Sequence, residues 1–292
     1  MKILVTGSSG RIGGAIVRDL LAAGHEVTGT DSRPSADAEC PFVAADLRDL
    51  GQTMGLLAGK DAVAHMAAIP APGGQPDDVV FDTNVRTTFN VLHAAALLGL
   101  RRVVSASSIS AYGTAYAFHE ITPLRVPFDE EHPLLHQDVY GLSKEVGEDI
   151  AATMHRRTGM AVANMRFAMV MPPQAYAGFS GSSGRSEEHD RRVLWCYIDV
   201  RDAARACRLA LELAPEIVGC QAFNITAPDT FMAEPTAHLV RRSWPYPPEV
   251  DGDDAGTWAP IDCTRAQRVL GFTPQYLWEQ HAPKVRGLAG GA

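Results

Sequence analysis

The sequence predicts an α/β fold: a doubly wound parallel sheet followed by a smaller C-terminal region. Three observations carry this. Short apolar runs alternate with longer amphipathic stretches through the first half of the chain, the pattern of βαβ units. A glycine-rich turn joins the first apolar run to the first amphipathic stretch, next to the amino terminus. Beyond about residue 168 the alternation breaks into Pro-, Gly- and Ser-rich segments with only scattered apolar runs.

Each element follows in order. KILVT (2–6) reads as the first strand, turning at Gly7 into a helix with Ile12, Ile16, Val17, Leu20 and Leu21 on one face. EVTGTD (26–31) and PFVAAD (41–46) read as strands two and three, each ending in Asp. DAVAHMAA (61–68) reads as strand four and runs into the Pro/Gly loop IPAPGGQP; a long helix follows, about 77–98. RRVVSASS (101–108) reads as strand five, ending in hydroxyls. Residues 113–138 contain three prolines and read as a long loop, a length that usually serves function. A helix from about 139 to 158 precedes strand six, MAVANMRF (160–167). Residues 172–192 are rich in Gly, Ser and charge, which makes them a lid candidate. A strand or turn and then a helix follow Val193, CQAFNIT (220–226) is a further strand, and one helix is expected around 264–270.

Composition narrows the function classes. The 292 residues carry a net charge of −8 without a basic stripe, so nucleic acid is not an expected partner. No apolar run approaches the roughly 18–20 residues of a membrane span, and no signal-peptide h-region follows the amino terminus. Cys40, Cys196, Cys207, Cys220 and Cys263 are odd in number and form no CxxC, which points to a reducing, cytoplasmic compartment. None of the ten histidines is assigned to a metal.

TGSSGRIGG places Gly7, Gly10 and Gly13 in G-x-x-G-x-x-G between a strand and a helix. A tight turn, close backbone approach to a pyrophosphate and close helix–strand packing all demand glycine there, and the helix N-terminus faces the anion. Arg11 and Ile12 sit inside this turn and join the expected cofactor wall. Asp31, about twenty residues on, suits the ribose hydroxyls of NAD and would repel the 2′-phosphate of NADP; Arg33 could partly rescue NADP. Asp46 with Leu47 suits an adenine-edge acceptor with an apolar neighbour; the alternative for Asp46 is a helix cap for the stretch from Asp49. Met66, Ala67 and Ala68 are slender enough for the backbone to approach NAD, though core packing explains them too.

Tyr140 and Lys144 stand one helical turn apart, a pairing that about one chain in ten of this composition would carry by chance. Alone it means little. Together with the glycines, HMAA (65–68), NVRTTFN (84–90), SASSISAYG (105–113) and MRF (165–167), it resembles an extended short-chain dehydrogenase/reductase of the NAD-dependent epimerase/dehydratase group. The resemblance covers about 1–170 strongly and continues weakly through YIDVRDAARA (197–206) and TRAQRVLGFTPQ (264–275). It implies a Rossmann-like NAD-binding domain over 1–168, continued by about 195–226, with a small substrate-binding region in 169–194 and 227–292. It implies Tyr140 as acid/base, Lys144 on the nicotinamide ribose, Ser108 holding the reacting oxygen with Ser107 as its rival, Asn84 near the cofactor, and Phe167 against the nicotinamide. A homodimer through the helices at 77–98 and 139–158 is expected by the same resemblance. The chemistry fits independently: a free Tyr titrates near 10, and a neighbouring ammonium and the cationic ring would favour the phenolate.

Departures shape the substrate expectation. Ser108 is followed by Ile109 and Ser110, not by an acid pair, which disfavours dehydration. Met169 stands where nucleotide-sugar relatives carry Asn, the C-terminal region is short, and Arg241, Arg242 and Arg265 have no assigned diphosphate role. Ile109, Ser110 and Met169 are therefore expected, with Ser108 and Tyr140, against a sugar-like secondary alcohol. The leading expectation is an NAD-dependent oxidoreductase acting on it. The alternative is a nucleotide-sugar 4-epimerase with permanently bound NAD, and a non-catalytic NAD-sensing regulator is disfavoured because Ser108, Tyr140 and Lys144 are intact.

Overall fold

The computed structural model describes residues 1–36, 38–179 and 186–284. The chain begins with β1 (Lys2–Thr6), α1 (Arg11–Ala22), β2 (Glu26–Asp31), β3 (Phe42–Ala44), α2 (Leu50–Leu57), β4 (Ala62–His65), α3 (Asp77–Leu97) and β5 (Arg102–Ser108). It continues through β6 (Arg125–Val126), α4 (Val139–Thr158), β7 (Ala161–Phe167), β8 (Met169–Met171), α5 (Glu187–Arg192) and β9 (Tyr197–Asp199). The last elements are α6 (Val200–Glu212), α7 (Pro215–Val218), β10 (Cys220–Ile225), α8 (Thr236–Ser243), β11 (Glu249–Val250) and α9 (Thr264–Leu270).

Seven strands form one parallel sheet in the order β10-β7-β5-β4-β1-β2-β3. The central strands are covered on both faces, so they read as near-continuous apolar runs, and Ile3, Leu4, Val5, Ala62, Val63 and Ala64 have no exposed surface. One apolar core lies between the sheet and α1 and α6, and a second lies under α2, α3 and α4. The chain leaves β1 toward β2 and β3 and then returns to β4 on the other side of β1. That reversal is a topological switch point, where the two connections diverge and leave a crevice at the carboxyl ends of the strands.

A third core, with Tyr112, Phe128, Tyr176, Trp195, Tyr197, Phe231, Trp244 and Trp278, builds the body beside the sheet's carboxyl edge. Two small parallel pairings tie it together. β8 pairs with β9, and β6 pairs with β11. The second of these draws the long 113–138 loop onto the C-terminal region, a pairing the loop's composition did not announce.

Several expected boundaries shift. Strand three shortens from 41–46 to Phe42–Ala44 and strand four from 61–68 to Ala62–His65, because the chain turns away from the sheet there to line the crevice. Within the lid candidate 172–192, Pro173–Phe179 form a 3-10 helix and Glu187–Arg192 an α-helix capped by Ser186; residues 180–185 lie outside the described residues. The helix expected around 264–270 is found at those bounds.

Candidate active site

The glycine turn shows why each glycine is needed. Gly7 has φ +65°, and a side chain there would sit 2.7 Å from the Ala67 nitrogen. At Gly13 a Cβ would lie 2.1 Å from the Gly7 carbonyl oxygen, so α1 packs on the turn more closely than any other residue permits. Gly10 caps α1 without a side-chain acceptor and no acid sits in the first turn, which leaves the helix N-terminus available to an anion. Arg11 donates to the Val170 carbonyl at 3.0 Å, linking the turn to β8. Ile12 packs on the sheet core and lines the crevice.

A polar clasp fixes the facing wall. The Thr6 hydroxyl oxygen accepts from the Met66 and Ala67 amides, both at 3.1 Å, and meets His65 Nδ1 at 2.8 Å. With both lone pairs used, the hydroxyl donates to the imidazole, and His65 Nε2 then donates to Thr88 at 3.2 Å. Burial pulls His65 down to about 3, so it is a neutral structural imidazole.

The crevice divides into two cavities that share Gly7, Gly10, Met66 and Ala68. One, of about 480 Å³, has Asp31, Asp46, Leu47 and Arg48 on its wall and suits an adenosine half. Asp31 accepts from the Ser9 and Ser32 amides at 3.3 and 2.7 Å, and the Arg33 carbonyl takes the Ser9 hydroxyl, so the carboxylate is held at the end of β2. The adenine acceptor is more occupied than expected. The Asp46 carboxylate makes a two-point pair with Arg48, at 3.0 and 2.8 Å, which holds it below the usual carboxylate range, and Asp49, not Asp46, caps α2. The Leu47 side chain is buried and its carbonyl accepts from Asn90. Replacing Asp31 with Asn should cost about tenfold in kcat/KM for NAD and narrow the gap to NADP, since a charged acceptor is worth roughly 1.5–3 kcal/mol. An unchanged NAD/NADP ratio in initial-rate assays would remove Asp31 from the ribose site.

The other cavity, of about 530 Å³, brings together Ser107, Ser108, Ile109, Ser110, Tyr140, Lys144, Phe167 and Met169. Asp138 caps α4 through the Gly141 amide at 2.9 Å, which sets the first turn and so the direction of Tyr140. Tyr140 is buried, with Tyr116 edge-on at 6.1 Å and the Lys144 ammonium 5.3 Å from its ring centre. Lys144 donates to the Ala106 carbonyl at 2.9 Å. The two serines separate. Ser107 donates to Glu148 at 2.6 Å, whereas Ser108 faces Tyr140 and exchanges bonds with Ser110, 3.0 Å between their hydroxyls. Phe167 lies in register with Ser108 on the neighbouring strand.

Two expectations change. Burial pushes the Tyr140 hydroxyl above its ordinary value; Ser108 opposes this, while Tyr116 and Asp138 add to it, where the sequence reading anticipated a lowering by Lys144 and the bound nicotinamide. Asn84 is buried and binds the Ile69 amide and carbonyl and the Ser143 hydroxyl, at 2.8, 3.1 and 3.1 Å. It braces the loop after β4 against α4; it is on the wall of neither cavity.

Lys144 itself is pulled by burial from 10.5 down to about 8, against the raising influence of Glu148. Between those values the unfolded chain holds a proton that the folded one lacks, so this group's contribution to stability rises with pH across that window. Urea unfolding of the wild type and of Lys144→Met from pH 7 to 10 should show that rise in the wild type alone; parallel curves would contradict it.

Tyr116, Glu148, Arg166 and His189 escaped the sequence reading. Tyr116 and His189 face the second cavity, and Glu148 and Arg166 form a buried pair behind it. Only Glu148 carried a signal, one turn beyond Lys144.

Comparison with known proteins follows this geometry. The model of the NAD dependent epimerase/dehydratase family matches residues 3–226. The UDP-glucose 4-epimerase of Mycolicibacterium smegmatis is 32% identical over 308 residues, covering 94% of each chain. A short-chain dehydrogenase/reductase superfamily protein from Agrobacterium tumefaciens, solved with bound NAD, superposes with a TM-score of 0.75 at 25% identity, covering 96% of this chain and 94% of that one. A mutated uronate dehydrogenase superposes at 0.68 with 24% identity, covering 96% and 83%. The chain belongs to the NAD-dependent epimerase/dehydratase family, and it is an enzyme of the short-chain dehydrogenase class that uses NAD.

Proposed function

We propose that the enzyme oxidises a secondary alcohol or hemiacetal of a small sugar-like substrate, with Tyr140 as the base for its hydroxyl proton. The observation that carries this is the convergence of Ser108, Tyr140 and Lys144 on one cavity wall opposite the glycine turn. Ser108 would exchange its bond to Ser110 for one to the reacting oxygen and hold it against Tyr140. Lys144, beside the ring, stabilises negative charge as it develops on the phenol oxygen. NAD, when bound, supplies the hydride acceptor; Gly7, Gly10, Arg11, Ile12, Gly13, Asp31 and Met66–Ala68 are the residues to hold it.

The substrate wall favours a small molecule. Beyond the catalytic groups it presents Ala115, Ala168, Met169, Val170 and Val193 with Tyr116 and His189. Among the described wall residues Arg11 and Lys144 are the permanent-type cations, and each already holds a carbonyl. Arg241, Arg242 and Arg265 are committed to Asp254, Glu234 and Glu130/Glu131. A diphosphate would therefore find few partners here. The second reading, a 4-epimerase that retains NAD, is favoured by the UDP-glucose 4-epimerases among the relatives. Denaturing the purified protein and measuring NAD(H) in the supernatant separates the two. Near one NAD per chain supports the epimerase. A protein that binds NAD reversibly and yields NADH with a sugar or sugar acid supports the dehydrogenase.

The same reading assigns the sheet and its helices (1–168 and about 195–226) to the cofactor, and 169–194 with 227–292 to the substrate. It takes the enzyme to be a cytoplasmic homodimer joined through α3 and α4. α3 leaves Val79, Phe89 and Leu97 exposed, whereas Ala94 and Ala95 are buried. Light scattering at micromolar concentration tests the dimer.

A further inference from the structure

Two consecutive residues at the end of β5 are gripped by two side chains one turn apart on α4. Lys144 takes the Ala106 carbonyl at 2.9 Å, and Glu148 takes the Ser107 hydroxyl at 2.6 Å. The next residue of the strand is Ser108. The Glu148 carboxylate is completed by Arg166, whose Nε and Nη2 donate to it at 2.9 and 2.7 Å, with 6% and 14% of the two side chains exposed. Arg166 in turn donates through Nη1 to the Tyr112 hydroxyl and the Glu130 carbonyl, at 2.9 and 3.0 Å. Ser107, Arg166 and Asn224 lie in register across β5, β7 and β10, so this array stands on one row of the sheet.

A buried pair of this kind adds little net stability relative to well-packed apolar residues. What it supplies is a fixed charge and a fixed distance. We propose that Glu148 is a positioning residue for hydride transfer: by gripping Ser107 it sets Ser108 against Tyr140, and its charge, one turn from Lys144, keeps that side chain an ammonium. The assignment rests on the reading of Ser108, Tyr140 and Lys144 given above.

The groups facing Lys144 support it. On α4 these are Tyr140 and Glu148; from β4 comes His65, held neutral by burial; Arg166, from β7, stands behind Glu148 as its partner. Glu148 is the negative charge among them. Without it, Lys144 loses that charge and the Arg166 guanidinium loses its carboxylate.

The test compares Glu148→Gln and Ser107→Ala with the wild type in two ways. Trace acetylation with acetic anhydride across pH 6–11, read by mass spectrometry, titrates Lys144 without any need for turnover; the chain has only three other lysines, Lys2, Lys60 and Lys284. In Glu148→Gln the Lys144 midpoint should fall by at least about half a pH unit, and in Ser107→Ala it should stay. Where a turned-over substrate is known, kcat should fall about tenfold in both variants while KM for NAD stays within about twofold. A Lys144 midpoint that does not move in folded Glu148→Gln overturns the proposal, as does wild-type kcat in Ser107→Ala. If Glu148→Gln does not fold, Glu148→Asp, which keeps the charge but loosens the grip, should lower kcat and leave the midpoint in place; wild-type kcat overturns the proposal. If no substrate turns over with the wild type, the function proposed above fails, and the midpoint in Glu148→Gln still decides the role of Glu148.

Discussion

Tyr140→Phe should lower kcat by about a thousandfold, the middle of the range for loss of a general acid/base, and leave the affinity for NAD within about twofold. The substitution removes one oxygen and nothing else. The ring keeps its edge contact with Tyr116 and its place beside Lys144, and the residues expected to hold the adenosine half lie in the turn after β1, at the end of β2 and in the segments after β3 and β4. The separation of the two readouts matters more than the size of either. Steady-state kinetics with calorimetric NAD titration measures both. Turnover within tenfold of the wild type would end the proposed mechanism, whereas loss of NAD binding would show that the hydroxyl serves the cofactor instead.

Gly13→Ala should weaken NAD binding by roughly tenfold to a hundredfold and lower the unfolding temperature, because forced overpacking costs about 1–3 kcal/mol. The added methyl would lie 2.1 Å from the Gly7 carbonyl oxygen, which also accepts the Gly10 amide at 2.9 Å. Relief requires α1 to withdraw or the turn to open, and either displaces the amides aimed at the anion. The neighbouring residue is the control. At Gly14 a Cβ meets nothing nearer than the Ser8 carbonyl oxygen at 3.4 Å. Gly14→Ala should therefore be neutral or stabilising by up to about 1 kcal/mol, through the helix propensity gained. Thermal unfolding and NAD titration of the two variants side by side give the answer, and equal behaviour would contradict the packing argument.

The sheet and most helices were legible because each rests on a local signal: apolar runs for strands covered on both faces, a 3.6-residue stripe for α1, Asp138 and Gly159 bounding α4. The glycine turn was legible because its constraint is local too. What escaped depends on which face of the sheet a helix covers. Ser107 and Ser108 point to opposite faces by the two-residue period of a strand, so the strand pattern alone names the pair, and Ser108 was put ahead of Ser107 only through the family resemblance. Asn84 was read as a cofactor neighbour because nothing in its helix shows that the Ile69 backbone folds over it. The raised Tyr140 hydroxyl reflects burial by Tyr116 and its loop, a stretch with no periodicity to place it. Asp46 paired with a residue two positions away, which the sequence displayed and the adenine reading passed over.

The bond from Tyr112 to Asn224, 2.7 Å long, closes a separation of 112 residues, and through Arg166 it reaches Glu148 on α4. During synthesis, Ser107, Glu148 and Arg166 leave the ribosome well before Asn224 does. Until then the Tyr112 hydroxyl lacks its acceptor and β7 is an open edge. The proposed reaction centre is thus completed late, when β10 docks, so a nascent chain carries every side chain proposed for catalysis before the network that braces them is closed.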